Sequence, residues 1–305
     1  MHKVKAEIVR PTTFIEPVRL RHLLDLDVTL ASETFQITGS FKFRAAYNVA
    51  KNIKQDRVIT ASSGNFGQAM AYACKLTGKK CTVVMPDNSA QVKVDAVREF
   101  GGIVDLVETR TTSRAQRVRE LAEADPAAYV ASAYDDPLVI EGNATLGHEL
   151  AEAAFDAVLV PVGGGGLSAG IVSGLKQAGA RTKVYGVEPS IANDAARSLK
   201  TGAIQVWDVE PQTIADGVRT LSIGKHNWEI LNKGLEDVLE VSEDAIKRAL
   251  RLLFTHANLK AEPTGAVSLA ALLEHGDRFT GQRVCCVVSG GNVDNGVFKR
   301  LVFES

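Results

Sequence analysis

The chain has 305 residues, of which 45% are apolar and 23% charged, and its 35 basic and 36 acidic side chains leave a net charge of -1. This length is typical of about two domains, and the composition is that of a globular chain with a sizeable core. A near-neutral balance without basic runs argues against a nucleic-acid-binding protein and against a membrane-surface protein.

Short apolar runs alternate along the chain with longer segments of helical periodicity. Helices are predicted at residues 40–50, with Ser40 as the N-cap, and at 64–76, 90–100 and 114–124. Strands are predicted at residues 57–60, 81–85, 104–107, 128–131, 157–162, 183–188, 237–241 and 284–289. Strands that alternate with helices are typical of an α/β protein whose mostly parallel sheets are covered on both faces.

The domain organisation is predicted from what the chain lacks. No internal repeat and no Pro/Ser-rich linker divides it, so two domains must be interleaved, with more than one crossing between them. We predict a small α/β domain at residues 57–134, inserted into a large domain built from residues 1–56 and 135–305.

The cysteines and the apolar stretches indicate a cytoplasmic protein. No CxxC pair is present among the four cysteines, which are Cys74, Cys81, Cys285 and Cys286. Neighbours on a strand point to opposite faces, so we expect the adjacent pair to be packed free thiols of a reducing compartment. Residues 1–14 contain scattered charges and no apolar core of a secretory signal. The uncharged stretch 157–175 contains six glycines and Pro161, which favours a strand, a loop and a helix over a membrane span.

The first segment that could carry chemistry is TGSFKFR at residues 38–44. Lys42 falls in the first turn of the predicted helix, where the positive end of the helix dipole disfavours a cation. Phe41 and Phe43 flank it, and an apolar site lowers the pKa of a lysine toward that of a nucleophilic amine. The alternative is an ordinary surface lysine on an amphipathic helix.

The second segment, TASSGNFGQ at residues 60–68, joins a strand to a helix. Backbone amides at a helix N-terminus bind carboxylate or phosphate, and Asn65 can both donate and accept a hydrogen bond. The alternative is that these residues only form the turn and cap the helix.

The third segment, PVGGGGLSAG at residues 161–170, places four consecutive glycines between a buried strand and a helix. Such a loop lets successive N–H groups converge on a phosphate. It also contains the GxGxxA pattern at Gly164, Gly166 and Ala169, with Glu188 ending the next strand. This pattern is similar to a dinucleotide fingerprint, so a nicotinamide-dependent oxidoreductase is the competing interpretation.

The fourth segment is SGGN at residues 289–292, directly after the last apolar strand. The Ser289 hydroxyl would then lie at the carboxyl end of a strand, where α/β proteins bind ligands. The alternative is a tight turn. No HExxH, GxSxG or paired CxxC pattern supports a zinc peptidase, a serine hydrolase or a zinc finger.

In this order and spacing the four segments resemble the fold-type II pyridoxal-phosphate (PLP) enzymes, and most closely the serine/threonine dehydratase and serine racemase branch. The resemblance extends from about residue 16 to about residue 292. It implies two interleaved three-layer α/β domains, the large one binding PLP and the small one lying on the substrate side. It also implies a homodimer that takes a small amino acid as its substrate.

The resemblance assigns a role to individual residues. Lys42 matches the lysine that binds PLP covalently, Asn65 the partner of its phenolic oxygen, and Ser289 the partner of its pyridine nitrogen. Phe41 matches the aromatic residue packed on the ring. The residues that match the phosphate loop are Gly163, Gly164, Gly165 and Gly166. A neutral hydroxyl leaves the pyridine nitrogen largely unprotonated, which suits expulsion of a β-leaving group.

The implied reaction is β-elimination from serine, threonine or 3-hydroxyaspartate, giving a 2-oxo acid and ammonia. Lys42 would take the α-proton as the general base. The substrate carboxylate would bind to the amides of Ser62, Ser63, Gly64 and Asn65. Arg114 and Arg219 would lie near the cleft, where guanidinium groups accept a second carboxylate.

Ser63 leaves a second activity open. In the racemase pattern the matching serine faces the side of PLP opposite to the lysine and can return a proton there, whereas many threonine dehydratases have alanine. The alternative function is therefore a serine or aspartate racemase with Lys42 and Ser63 as its two bases. A plain helix cap is the other interpretation of Ser63.

The segment EPSIAND at residues 188–194 resembles the divalent-cation site of the same branch. Its ligands to Mg²⁺ or Ca²⁺ would be the carboxylates of Glu188 and Asp194 and the carbonyl of Ala192, an all-oxygen set that suits hard cations. The alternative is a capped helix start with solvated acids. Phe66 departs from the family pattern, because it replaces the histidine that commonly follows the Gly-Asn pair.

Overall fold

The computed structural model describes residues 8–304; residues 1–7 and Ser305, which the predicted large domain includes, lie outside the described residues. The strands are β1 Thr13–Ile15, β2 Asp27–Ser32, β3 Arg57–Ala61, β4 Lys80–Pro86, β5 Ile103–Val107, β6 Tyr129–Ala131, β7 Ala157–Pro161, β8 Lys183–Pro189, β9 Asp237–Val241 and β10 Arg283–Val288. The helices are α1 Val18–Leu24, α2 Lys42–Asn52, α3 Asn65–Leu76, α4 Gln91–Glu99, α5 Arg114–Ala124, α6 Pro137–Ala153, α7 Gly166–Gln177, α8 Asp194–Thr201, α9 Lys225–Gly234, α10 Glu243–Ala257, α11 Pro263–His275 and α12 Asn295–Phe303.

The strands form two sheets. The larger has the order β1-β2-β10-β7-β8-β9, and only β1 runs antiparallel to its neighbour. The smaller has the order β5-β4-β3-β6 and is parallel throughout. Parallel neighbours require crossover connections, which the intervening helices supply. The predicted α/β class with mostly parallel sheets is confirmed, and none of the helices in residues 8–304 is long and apolar enough to span a bilayer.

All eight predicted strands are present, and the four predicted helices lie within a few residues of their expected bounds. Two strands, β1 and β2, were not predicted from the sequence. A three-residue edge strand is too short to show a period, and Thr29 interrupts β2, which therefore lacks the continuous apolar run that located β7 and β10. Three buried apolar clusters hold the fold together, one on each face of the larger sheet and one around the smaller.

The adjacent cysteines behave as predicted. Cys286 belongs to the cluster on one face of the larger sheet and Cys285 to the cluster on the other face. Both are free thiols, as are Cys74 and Cys81 in the core of the smaller sheet. Burial raises the pKa of the Cys285 and Cys286 thiols, so they remain protonated packing groups.

The prediction that Ser40 caps the helix is wrong. Phe41 occupies the N-cap position of α2, and no side chain caps this helix. Ser40 instead pairs with Gly290 in an isolated antiparallel bridge, and the Phe41 amide donates to the Ser289 carbonyl at 3.0 Å. The long-range bridge therefore fixes the start of α2, and it places Lys42 beside the carboxyl end of β10.

A buried cluster of charged side chains joins α2, α6 and the segment that follows β2. The Arg44 side chain is 1% exposed and donates from Nε to Glu33 Oε2 at 2.8 Å, where Glu33 is equally buried. Arg44 Nη1 also donates to Glu149 Oε1 at 2.7 Å, and Nη2 donates to Thr12 Oγ1 at 2.8 Å. The guanidinium thus links α2 to α6 and to the segment that precedes β1.

Replacing Arg44 by alanine should destabilise the fold strongly, because it leaves the Glu33 carboxylate buried without its partner. Breaking one side of a buried pair costs about 3–5 kcal/mol in the free energy of unfolding. Urea unfolding followed by circular dichroism measures this change. Arg57→Ala is the control, since it removes an exposed ion pair with Asp125 and should change the urea midpoint far less. Equal midpoints for the two variants would contradict the prediction.

Candidate active site

Lys42 lies in a cleft and not on the open surface of its helix. It is the first residue of α2, and its Nζ donates to the Ala133 carbonyl at 2.8 Å, in the loop that follows β6. The rings of Phe41 and Phe66 lie 5.0 and 5.6 Å from Nζ. The predicted apolar environment is therefore present, but Phe66 supplies the second ring, because Phe43 stacks on Tyr47 inside the core.

The amine of Lys42 is electrostatically perturbed. Desolvation in the cleft lowers its pKa to about 8, and the nearby charge of Glu262 opposes this shift. A lysine with such a pKa is present in part as the neutral amine near neutral pH, which is the form that acts as nucleophile or base. The alternative of an ordinary surface lysine does not fit this position.

The four glycines form the turn between β7 and α7. Gly165 has a φ of +92°, a conformation that favours glycine. A Cβ on Gly164 would lie 2.2 Å from the Tyr134 ring, and one on Gly166 would lie 2.6 Å from the Tyr134 carbonyl oxygen. Asn227 Nδ2 fixes both sides of this contact, donating to the carbonyls of Gly164 at 2.7 Å and Tyr134 at 3.0 Å. The run of glycines is thus required by close packing as well as by the turn.

The first, third and fourth segments meet in one cavity. It is lined by Phe41, Lys42, Tyr134, Pro161, Gly163, Gly164, Gly165, Gly166, Leu167, Gly217, Val218, Thr220, Thr264 and Ser289. Two hydroxyls in this lining, Ser289 Oγ and Thr220 Oγ1, are buried without a hydrogen-bond partner among residues 8–304. Buried polar groups are nearly always paired, so these hydroxyls indicate a polar ligand. The lining therefore fits PLP, which offers a phosphate, a pyridine nitrogen and an aldehyde that reacts with an amine.

The second segment borders the same site from the smaller sheet. It connects β3 to α3, which begins at Asn65 with Gly64 as its N-cap and has no side-chain cap. The interpretation of Ser63 as a helix cap therefore fails. The Ser62 Oγ accepts a 3.3 Å hydrogen bond from the Gly64 amide within the turn. The first N–H groups of α3 remain for an anionic ligand.

Two site residues were missed by the sequence analysis. Glu262, the N-cap residue of α11, is 6% exposed and accepts from Asn65 Nδ2 at 2.8 and 3.1 Å. Asn292, quoted in the fourth segment without a role, donates from Nδ2 to Asn65 Oδ1 at 2.8 Å. Burial and, next, the charge of Asp216 raise the pKa of Glu262 to about 8. The Glu-Pro pair at a helix start was the available signal for Glu262.

The two arginines do not line the cavity around Lys42. Arg114 begins α5 and makes a loose ion pair with Glu210, with Nη2 and Oε2 3.9 Å apart. Arg219 donates from Nε to the Thr213 carbonyl at 2.8 Å, within its own loop. Arg114 therefore has the freer guanidinium of the two.

The residues predicted to bind a cation lie at the junction of β8 and α8. Glu188 and Asp194 are 1% and 2% exposed, so the alternative of solvated acids is wrong. Burial raises the pKa of both carboxyls, that of Asp194 to about 6, and Asp194 Oδ2 has no hydrogen-bond partner in the described part of the chain. No group of three or more His, Cys, Asp or Glu side chains that could hold a metal occurs in residues 8–304. Two buried acids and a carbonyl are the kind of oxygen ligands that hard cations take.

Glu188 also tests the dinucleotide interpretation, in which its carboxylate would accept a hydrogen bond from a ribose hydroxyl. Its two oxygens accept from the amides of Ala195 at 3.1 Å and Ala196 at 2.7 Å, in the first turn of α8. The carboxylate is therefore engaged away from the glycine loop. This position of Glu188 argues against a nicotinamide-dependent oxidoreductase, because no ribose contact from this carboxylate is available at the glycine loop.

Comparison with known proteins supports the interpretation of this cavity as a PLP site. The family model described as "Pyridoxal-phosphate dependent enzyme" matches residues 6–290. The L-threo-3-hydroxyaspartate ammonia-lyase of Pseudomonas sp is 38% identical over 91% of this chain and 90% of its own length. The serine racemase of Homo sapiens is 36% identical over 95% and 90%, respectively. The crystal structure of a T.th. threonine deaminase has a TM-score of 0.87 at 41% identity, covering 93% of this chain and 92% of that one. This chain belongs to the family of pyridoxal-phosphate dependent enzymes.

Proposed function

We propose that this protein is a PLP-dependent ammonia-lyase that converts a small β-hydroxy amino acid into a 2-oxo acid and ammonia. The observation that carries the proposal is the convergence of the Lys42 amine, the glycine loop and the Ser289 hydroxyl in one cavity. Similarity to hydroxyaspartate ammonia-lyases and a threonine deaminase supports the same reaction class.

Each wall of the cavity has a function in this proposal. The amides of the glycine loop and of the first turn of α7 would hold the phosphate, the Ser289 hydroxyl would pair with the pyridine nitrogen, and the Phe41 ring would pack on the cofactor. Asn65 would donate to the phenolic oxygen. When bound, PLP supplies an electron-withdrawing ring that makes the α-proton of an attached amino acid acidic.

The chain's own residues perform the proton transfer and orient the substrate. Lys42 would hold the cofactor through its amine, and the lowered pKa of that amine suits it to take the α-proton of the substrate. The uncapped amides at the start of α3, contributed by residues 62–65, hold the substrate carboxylate. The Phe41 and Phe66 rings exclude water around the amine.

We propose 3-hydroxyaspartate as the preferred member of the substrate class. It differs from serine by a second carboxylate, and Arg114 offers a partly exposed guanidinium whose only short-range acid in the described residues, Glu210, is 3.9 Å away. Three relatives named for hydroxyaspartate are 33–38% identical to this chain.

A substrate panel tests the proposal. Purified holoenzyme is incubated with L-serine, L-threonine and L-threo-3-hydroxyaspartate, and 2-oxo acid release and enantiomer composition are scored together. We expect 2-oxo acid from 3-hydroxyaspartate at the highest kcat/KM, and Arg114→Gln should raise KM for this substrate more than for serine. Absence of 2-oxo acid with all three would reject the substrate class.

A racemase is the second candidate, and Ser63 favours it. Ser63 lies in the turn before α3 and does not cap that helix, so helix capping does not occupy its hydroxyl. Similarity to serine racemases supports this activity.

Ser63→Ala should abolish any racemisation, because it removes the only proposed base on the second face of the cofactor. We expect D-isomer formation to fall by about 100-fold or more, the scale of general acid–base catalysis, while elimination falls by less than about threefold. Chiral chromatography and the 2-oxo acid assay measure the two activities on one sample. Equal losses in both activities would argue against two separate bases.

We also propose a divalent-cation site formed by Glu188, Asp194 and the Ala192 carbonyl. Mg²⁺ or Ca²⁺ would offset the burial of two neighbouring carboxyls whose pKa values are both raised. The backbone of Ile223 opposes the rise in the Asp194 pKa, and the Ile223 side chain lies near Gly165, so a cation at this site would also act on the phosphate loop.

Addition of Mg²⁺ or Ca²⁺ should raise Tm, and more so at pH 8 than at pH 5.5. Without metal, a raised folded-state pKa means that the two acids favour folding at low pH and lose this contribution as pH rises through their folded values. The cation requires the deprotonated form, so its stabilisation grows over the same range. Differential scanning fluorimetry of the wild type and Asp194→Asn measures it. A shift that persists in Asp194→Asn would contradict this site.

The remaining organisation is proposed on the same basis. The four strands of the smaller sheet all lie within residues 57–134, which supports a small substrate-side domain inserted into a large domain made of 1–56 and 135–305. We propose a homodimer in the cytoplasm, where the four free buried cysteines suit a reducing environment.

A further inference from the structure

The side chain of Asn65 is held from both ends. Its Oδ1 accepts from Asn292 Nδ2, which also donates to the Thr38 carbonyl at 2.7 Å. Its Nδ2 donates to both carboxyl oxygens of Glu262. An amide can be turned over without changing its shape, and these partners permit only one of the two orientations, with the NH₂ group on the side of Glu262.

Glu262 is itself fixed by the fold. It precedes Pro263 at the start of α11, and its amide donates to the Gly290 carbonyl at 3.0 Å. A Cβ on Gly290 would lie 2.6 Å from Glu262 Oε1, so the carboxyl packs directly against the turn that follows Ser289. A buried carboxyl held by the backbone at this point is well suited to orient a neighbouring amide.

We propose that Glu262 is a positioning residue that turns the NH₂ end of Asn65 toward the cofactor and holds it there. This inference rests on the proposed function, in which Asn65 donates to the phenolic oxygen. One N–H of the amide binds Glu262 and the other remains for that oxygen. If the Asn65 amide were turned over, its carbonyl oxygen would face the phenolic oxygen of PLP with no hydrogen between the two atoms. This arrangement would weaken PLP binding and change the protonation state of the cofactor.

The charges around Glu262 give the arrangement a pH dependence. The groups that act on it are Lys42 from α2, Lys93 from α4 and Asp216 from the loop between α8 and α9, and the last two form an ion pair 3.3 Å apart. Burial raises the pKa of Glu262 to about 8 and lowers that of Lys42 to about 8. The carboxyl is neutral below its pKa and charged above it, so the charge beside Asn65 depends on pH.

The test compares Glu262→Gln, which keeps an acceptor oxygen but removes the charge, with Glu262→Ala, which removes both. Glu274→Gln is the matched control, because Glu274 lies at the other end of α11 and binds Ser242 at the surface. The holoenzymes are compared by the pH midpoint of their visible absorption and by kcat and KM separately.

We expect Glu262→Ala to lower kcat about 10-fold or more with KM changed less than about threefold, since orientation and not substrate binding is lost. Glu262→Gln should retain more of kcat than Glu262→Ala. Both variants should move the absorption midpoint by about 1 pH unit, the scale expected from removing one buried charge, whereas Glu274→Gln should not move it.

Two outcomes are distinguishable. If the Glu262 variants bind PLP and keep the wild-type absorption, midpoint and kcat, the positioning role is wrong while the proposed function stands. If the wild-type holoenzyme releases no 2-oxo acid, the proposed reaction fails, and the absorption titration still decides the role of Glu262. Should Glu262→Ala fail to fold, Glu262→Met takes its place, because it also removes both acceptor oxygens while filling a similar volume.

Discussion

Replacing Lys42 by alanine should eliminate both the visible absorption of the holoenzyme and its 2-oxo acid production. The amine is the proposed covalent anchor of PLP and the proposed base for the α-proton, and no second amine from residues 8–304 lines this cavity. Loss of a nucleophile and general base together lowers kcat by about 1,000-fold or more. Absorption spectra of the purified variant and the 2-oxo acid assay measure the two losses.

Lys51→Ala is the control for this experiment, because Lys51 lies in the last turn of the same helix and is exposed. It should keep the wild-type spectrum and rate. Circular dichroism of Lys42→Ala should also match the wild type, since Lys42 lies in the cleft and belongs to none of the three apolar clusters. A Lys42→Ala protein that keeps its coloured band and its turnover would refute the assignment of this residue.

Gly164→Ala should weaken PLP binding by about 10- to 100-fold. The new methyl group would lie 2.2 Å from the Tyr134 ring, whose backbone carbonyl is held by Asn227, so the ring or the loop must shift. Overpacking of this kind costs about 1–3 kcal/mol, and each 1.4 kcal/mol is tenfold in affinity. Titration of the PLP-free variant with PLP, followed by absorbance, gives the Kd.

Gly276→Ala provides the matched comparison for Gly164→Ala. Its backbone has helical torsion angles, and a Cβ there would lie 3.4 Å from Leu26 Cδ1, an ordinary contact. It should leave the Kd for PLP unchanged. If Gly164→Ala bound PLP as tightly as Gly276→Ala, the contact with Tyr134 would not control the phosphate loop.

Local sequence determined most of the framework and the chemistry of the site. Short apolar runs and period-3.6 patterns located eight of the ten strands in the described residues and four of the helices, because both signals lie within about a dozen consecutive residues. The glycine run, the Lys42 segment and SGGN carry their chemistry in adjacent residues, and the structure brings all three to one cavity.

Tertiary structure decided the contacts between residues that are remote in the chain. Asn65 meets Glu262 across 197 positions and Asn292 across 227, and no local pattern records such pairs. The same holds for Ser40, whose bridge to Gly290 overrides its capping preference, and for Phe66, which replaces Phe43 beside the amine. A segment of sequence specifies which groups a loop can offer, whereas the packing of two sheets selects which of them face each other.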